Sequence, residues 1–301
     1  MQIIKPVTVT DAILTSSTVP ETDHTPWDAA TSYSTGTKVI VISTHKVYES
    51  LINSNQNNDP VTDDGTNWLT LGATNRWKAF DQKIADQVVQ QDSINYVFGS
   101  YNSNVTSLAL FNLVGISANV TVTDSTAGEV YNKNISLVDN RNIVDWFTYF
   151  FEEQVQKETV QFIDIPPYLN SAISVTVTAN TGEDAKLGQI VFGFLADIGA
   201  TTYGTSISIE DFSRKQVDAF GNFVVVQRAF SQLADFDVQF ETRNARRIQR
   251  TLAELRAVPV VYIGSSDTSY GTTIYGFYRR FDLTLETPSL SFGAIEVEGL
   301  T

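Results

Sequence analysis

The chain contains no cysteine. Disulfides, thiolate metal sites and a cysteine nucleophile are therefore excluded, and the fold has to rest on packing and hydrogen bonding. Histidine is almost as scarce. His24 and His45 are the two present, and neither has a Cys or carboxylate cluster at ligand spacing, so both read as surface residues and no metal site is expected. No apolar run approaches the roughly 18 residues that a membrane-spanning helix needs. The segment Met1–Pro6 also lacks the apolar h-region of a secretory signal. The expectation is a soluble protein made in the cytoplasm, without membrane insertion. Positive charge is in deficit too: 20 Lys and Arg face 34 Asp and Glu, a net charge of −14. Nucleic acid or an anionic bilayer would be repelled by such a chain and is not expected as a partner.

Catalytic signatures are missing as well. There is no GxSxG elbow, no HExxH and no glycine loop built to cradle phosphate. Glu152-Glu153 is the nearest approach to a glycosidase carboxylate pair. Adjacent residues of a strand point to opposite faces, however, so the two are badly placed to act together. Asp59, Asp63 and Asp64 flank a loop and carry the oxygen ligands that calcium uses, but such residues more commonly stabilise a solvated turn. The expectation is a non-enzymatic protein without cofactor or metal.

What the chain does contain is β-forming sequence in blocks. Its 301 residues are enough for two or three domains, and 42% of them are hydrophobic, as in globular proteins. Residues 1–23 read as an extended arm or lone strand. Residues 24–74 hold two short strands about a turn at 43–45, a polar loop at 53–60 and a third strand at 67–71. Over 75–198 at least six runs rich in Val, Ile, Thr and Phe follow one another with turn signals between them and no intervening helix. Such a pattern argues for an antiparallel sandwich or jelly roll. The stretch Trp77, Phe80, Ile84, Val88 has helical spacing but equally suits an irregular link. In 199–301 strands are expected at 205–209, 222–228, 236–242, 260–264, 273–279, 283–287 and 294–298. Ala245, Ile248, Leu252 and Leu255 set one apolar stripe on a helix that Pro259 ends, making an α+β unit with one packed helix. The fold class expected is mainly β.

Three groups of residues are candidates for function. Trp27, Tyr33, Tyr48 and Trp68 are interleaved with Gly36, Val39 and Pro60 in a W-x5-Y-x2-G-x2-V spacing. Their rings either fill the core of a small twisted sheet or lie flat as a stacking platform for sugars. A run of rings from Trp146 through Tyr149 to Phe151 suits a sandwich core or an edge buried against another subunit. Arg243, Arg246, Arg247 and Arg250 band the one helix of an otherwise acidic chain. They suit a solvated face or an intersubunit contact with carboxylates.

The residues Trp27, Tyr33-Ser34-Thr35-Gly36, Val39, Tyr48-Glu49-Ser50, Pro60 and Trp68 resemble the small chitin- and cellulose-binding modules found beside chitinases and inside phage tail proteins. The chain departs from that pattern at 41–45, which read Val-Ile-Ser-Thr-His. The order of blocks is similar to tailed-phage tail and baseplate proteins. The likeness continues through Asn75–Asp81, Tyr203-Gly204-Thr205, Asp211–Lys215, Gly276-Phe277-Tyr278 and Glu296–Leu300. It implies a galactose-binding-like sandwich after the small module. It further implies a virion subunit of the tail tip, baseplate or fibre anchor, working in a symmetric homo-oligomer with other tail proteins and in reach of host surface glycans. The arm and the C-terminal unit would then make the subunit contacts. An accessory glycan-binding protein for chitin-like or surface polysaccharide is the alternative.

Overall fold

Alternation of apolar residues with Thr, Ser and Asn makes strands of much of this chain. The computed structural model describes residues 1–99, 101, 103–140, 143–151, 155–169, 171–217, 220–221, 223–267 and 270–301. Glu152-Glu153 lies outside the described residues. The first part comprises β1 (Gln2–Pro6), β2 (Leu14–Ser17), β3 (Lys38–Val41), β4 (Lys46–Ser50) and β5 (Trp68–Ala73). A 3₁₀ turn at Asn75–Phe80 resolves the ambiguous stretch and leads to β6 (Val88–Gln91) and β7 (Ser93–Phe98). There follow β8 (Ser107–Phe111), β9 (Ser117–Asp124) and β10 (Gly128–Ser136), then the short β11 (Val138–Asp139) and β12 (Val155–Gln156) with helix α1 (Trp146–Phe151) between them. Next come β13 (Val160–Phe162), β14 (Ser171–Thr178), β15 (Asp184–Leu187) and β16 (Gln189–Asp197). The last third holds β17 (Ala200–Thr201), β18 (Ser206–Asp211), β19 (Arg214–Val217), β20 (Phe223–Val226) and β21 (Phe230–Glu241). Helix α2 (Ala245–Glu254) separates these from β22 (Val260–Ile263), β23 (Thr273–Thr284) and β24 (Leu290–Gly299).

The fold is mainly β, and its organising strand is the first one. β1 falls in the segment expected to be an extended arm or a lone strand. Instead it is a central strand of a ten-stranded sheet, β13-β8-β16-β1-β22-β23-β24-β21-β17, with β18 also paired to β21. On one side Gln2 pairs with Asp197, and on the other with Ile263. The sheet therefore runs without a break across residue 199, where two units were expected, because β1 closes the gap between them. Its alternation serves both faces: Ile3 enters the core beside α2, and Ile4 enters the core on the opposite face with Phe111, Val261 and Tyr275. Gly193 of β16 leaves room for this strand, since a Cβ there would overlap the Lys5 carbonyl.

The sandwich is present as expected. A second, five-stranded sheet, β10-β9-β14-β7-β2, covers one end of the large sheet, and Tyr96, Phe98, Leu108, Leu110, Phe162 and Phe192 are buried between the layers. At the other end the layer is α2, whose Ile248 and Leu252 pack on Phe236, Tyr262 and Ile295. The expected strand at 283–287 is instead the end of a longer β23 and its turn. β3, β4 and β5 form a separate antiparallel sheet, which is the small module.

Candidate functional site

A module of about 50 residues without disulfides needs large side chains to make a core, and the four aromatics supply it. Tyr33, Tyr48 and Trp68 are buried together with Val39, and Trp27 and Val41 pack against them part-exposed. Tyr33 meets Trp68 edge-on, with ring centroids 5.4 Å apart. Their polar atoms are used inside the module: Trp68 Nε1 donates to the Asn58 carbonyl at 2.9 Å, and the Asp28 amide donates to Tyr33 Oη at 2.8 Å. Of the two readings open for these rings, the structure places Tyr33, Tyr48 and Trp68 in the core. Their faces are not available as a sugar platform. Trp27 alone of the four keeps part of its ring in solvent.

The acidic loop is likewise occupied with its own folding. Asp63 accepts hydrogen bonds from the amides of Gly65, Asn67 and Trp68 and from Asn67 Nδ2. Slight desolvation pushes its carboxyl up, but these donors outweigh it and hold the group below the usual carboxylate range. Asp59 caps Val61, and Asp64 caps Thr66. No group of three His, Asp or Glu comes together as a cation site among the described residues.

His45 was expected to be a plain surface residue, and the structure corrects this. It sits at the turn between β3 and β4 with φ +54°, its ring stacked on Trp77 at 3.8 Å. One ring nitrogen lies 3.0 Å from Glu21 and the other 3.1 Å from Asp11. Thr74 also donates to Glu21, at 2.9 Å. Three segments meet at this ring: the N-terminal stretch, the small module and the turn that enters the sandwich. Sequence reasoning missed the cluster because its partners stand 24 and 34 positions away. The same 41–45 departure from the module pattern is what supplies the histidine.

Two elements project from the body instead of packing on it. The rings of α1 were expected either in the sandwich core or at a subunit edge; the core reading is excluded, because Trp146 is 78% and Tyr149 60% exposed. Its rings touch one another, as Trp146 on Phe150 and Phe147 on Phe151. The second element is the ribbon β19–β20, which continues the β18–β21 hairpin outward and, among the described residues, pairs with no other strand. All eight strand residues are exposed, including Val217, Phe223, Val224, Val225 and Val226. Sequence reading found this strand but gave no sign that it stands clear of the core.

Arg246, Arg247 and Arg250 are on the solvent side of α2, and Arg243, expected on the helix, stands exposed in the 3₁₀ turn Thr242–Asn244 that precedes it. Arg250 pairs with Glu254 at 3.0 Å, Arg243 with Glu241 at 2.5 Å, and Arg247 donates to the Asp197 carbonyl at 3.1 Å. Three of the four therefore have partners within the same chain, and the helix lies far in sequence from the rings of Trp146 and Tyr149.

At the root of the ribbon, on the same face of the large sheet as Ile4, lies a groove of about 340 Å³. Phe111 and Tyr275, 5.8 Å apart, make its floor, with Ile84, Thr159, Leu300 and Phe230 on the walls and Glu158 on the rim. Asp81 lies beside Tyr275, and its Oδ2 is buried without a hydrogen-bond partner. Burial, aided by Asp86, holds that carboxyl above its usual range even though the Lys83 amide donates to the other oxygen. Burial likewise pushes the Tyr275 phenol up to about 12. Comparison with known proteins adds nothing to this geometry, since no family model, curated protein or solved structure matches the chain.

Proposed function

We propose that this chain is a non-enzymatic structural subunit of a tailed-phage virion, at the tail tip, baseplate or fibre anchor, and that it works as a symmetric homo-oligomer. The observation that carries the assembly part is the ribbon β19–β20. A two-stranded hairpin is marginally stable alone in water. This one presents Phe223-Val224-Val225-Val226, apolar on both faces, to solvent. A continuous apolar strand is the pattern of one covered on both sides. Copies of the same chain are the partner always present, and closed symmetric assembly would cover the patch. The virion setting comes from the likeness of the module order, and other tail proteins and host glycans are its implied neighbours. The glycan-binding alternative has less support, because three of its four rings are inside the module.

The test is native mass. The purified protein is expected to run as a discrete multiple of its 33.3 kDa. A Phe223→Asp/Val225→Asp variant should be monomeric with an unchanged far-ultraviolet circular dichroism spectrum, since both sites are exposed within the single chain. A wild-type monomer at micromolar concentration would overturn the assembly reading.

A further inference from the structure

We infer that the ribbon β19–β20 of one copy lies in the groove floored by Phe111 and Tyr275 of a second copy. The inference rests on the self-assembly reading above and adds the receiving site.

Three observations converge on that occupant. First, the groove is apolar and its walls include Phe230, the residue from which the ribbon's own strand returns. The ribbon's residues are nevertheless exposed, so it does not fill the groove from which it rises. Second, the charges are complementary. Residues 212–229 carry Arg214, Lys215 and Arg228 against one acid, Asp218, in a chain of net charge −14. The one charged side chain in the groove's lining is an acid, Glu158. Third, the ribbon is short and apolar. Four residue pairs of ribbon span about 13 Å at 3.3 Å per residue, with apolar side chains on both faces for a floor of two rings. Lys215, held 3.5 Å over the Phe223 ring, keeps its ammonium beside the apolar strand instead of extended into water.

The absence of cysteine makes a direct test available, because any disulfide formed must join introduced residues. Val224→Cys and Val225→Cys place a thiol on one or the other face of the ribbon, and Thr159→Cys places one in the groove wall. Each ribbon variant is mixed with the groove variant, exchanged at low concentration and oxidised mildly. A product of twice the chain mass is expected from one of the two mixtures and from none of the three variants alone. In parallel, Glu158→Lys should weaken assembly by about five- to tenfold. Adding Lys215→Glu in the same chain should restore it. If the protein remains oligomeric but no mixture cross-links and Glu158→Lys assembles normally, the groove is not the receiving site, while the self-assembly reading stands. If the wild-type protein is monomeric, both fall together.

Discussion

Removing the side chains of β1 should destabilise both ends of the molecule at once. Ile3 and Ile4 are wholly buried, one in the core that includes α2 and the other on the opposite face beside Val261 and Tyr275. Each Ile→Ala change removes three carbons, a transfer loss of about 2.4 kcal/mol at roughly 0.8 per carbon. The cavity left in a packed interior raises this to about 3–4 kcal/mol. Domains of this kind commonly hold about 5–15 kcal/mol in total, so either variant should shift a urea midpoint clearly. As a control, Val144→Ala, at an 81% exposed site, should stay within about 0.5 kcal/mol of wild type. The informative readout is cooperativity. Hydrogen exchange of β14, in the five-stranded sheet, and of β24, at the far end of the large sheet, should weaken together in both variants. Protection lost only in β24, or only in β14, would refute the idea that β1 joins the two ends into one folding unit.

Gly193→Ala should block β1 from the same position by overlap with the Lys5 carbonyl, costing about 3 kcal/mol in chemical denaturation. His45→Ala should speed proteolysis at the junction of the small module, about fivefold or more, without moving the main melting transition, because the ring joins segments at the periphery of the two cores. Trp68→Ala should unfold the small module, at about 3–5 kcal/mol, and leave the sandwich intact by near-ultraviolet circular dichroism. High pH should weaken the fold through Tyr275. Its folded value, raised to about 12, exceeds the roughly 10 of an unfolded tyrosine. That contribution is complete below about pH 10 and is lost as pH rises from there towards 12, which urea midpoints taken across that range will register.

Much of the strand inventory was legible because alternation of Val, Ile and Thr with polar residues is a local signal. It placed β18 and β22 close to their observed bounds, and the Ile248–Leu252 stripe located α2. What stayed hidden was pairing over distance. Nothing in Gln2–Pro6 announces that its neighbours are Asp197 and Ile263, so the segment read as an arm or a lone strand and not as the centre of a sheet. The rings of α1 and of the small module illustrate the same limit from the other side. Composition cannot say whether a ring is enclosed: Trp68 is in a core and Trp146 is in solvent. His45 looked unpartnered because its carboxylates come from a segment that folds back over the module.

The position of β1 also sets an order of events during synthesis. Its residues leave the ribosome well before the strands on either side of them, at Gln189–Asp197 and Val260–Ile263. The small module, whose three strands lie within Lys38–Ala73, has its whole sheet available early and can close while translation continues. The large sheet cannot close until β22, β23 and β24 have emerged, and the loop closures it then requires are long and slow. Through that interval Ile3 and Ile4 stand as an unpaired apolar strand on a nascent chain, open to other strand edges and to chaperones. Slower elongation would therefore lengthen the exposure of this strand without helping it to pair, and its yield should respond to chaperone supply more than that of the module alone.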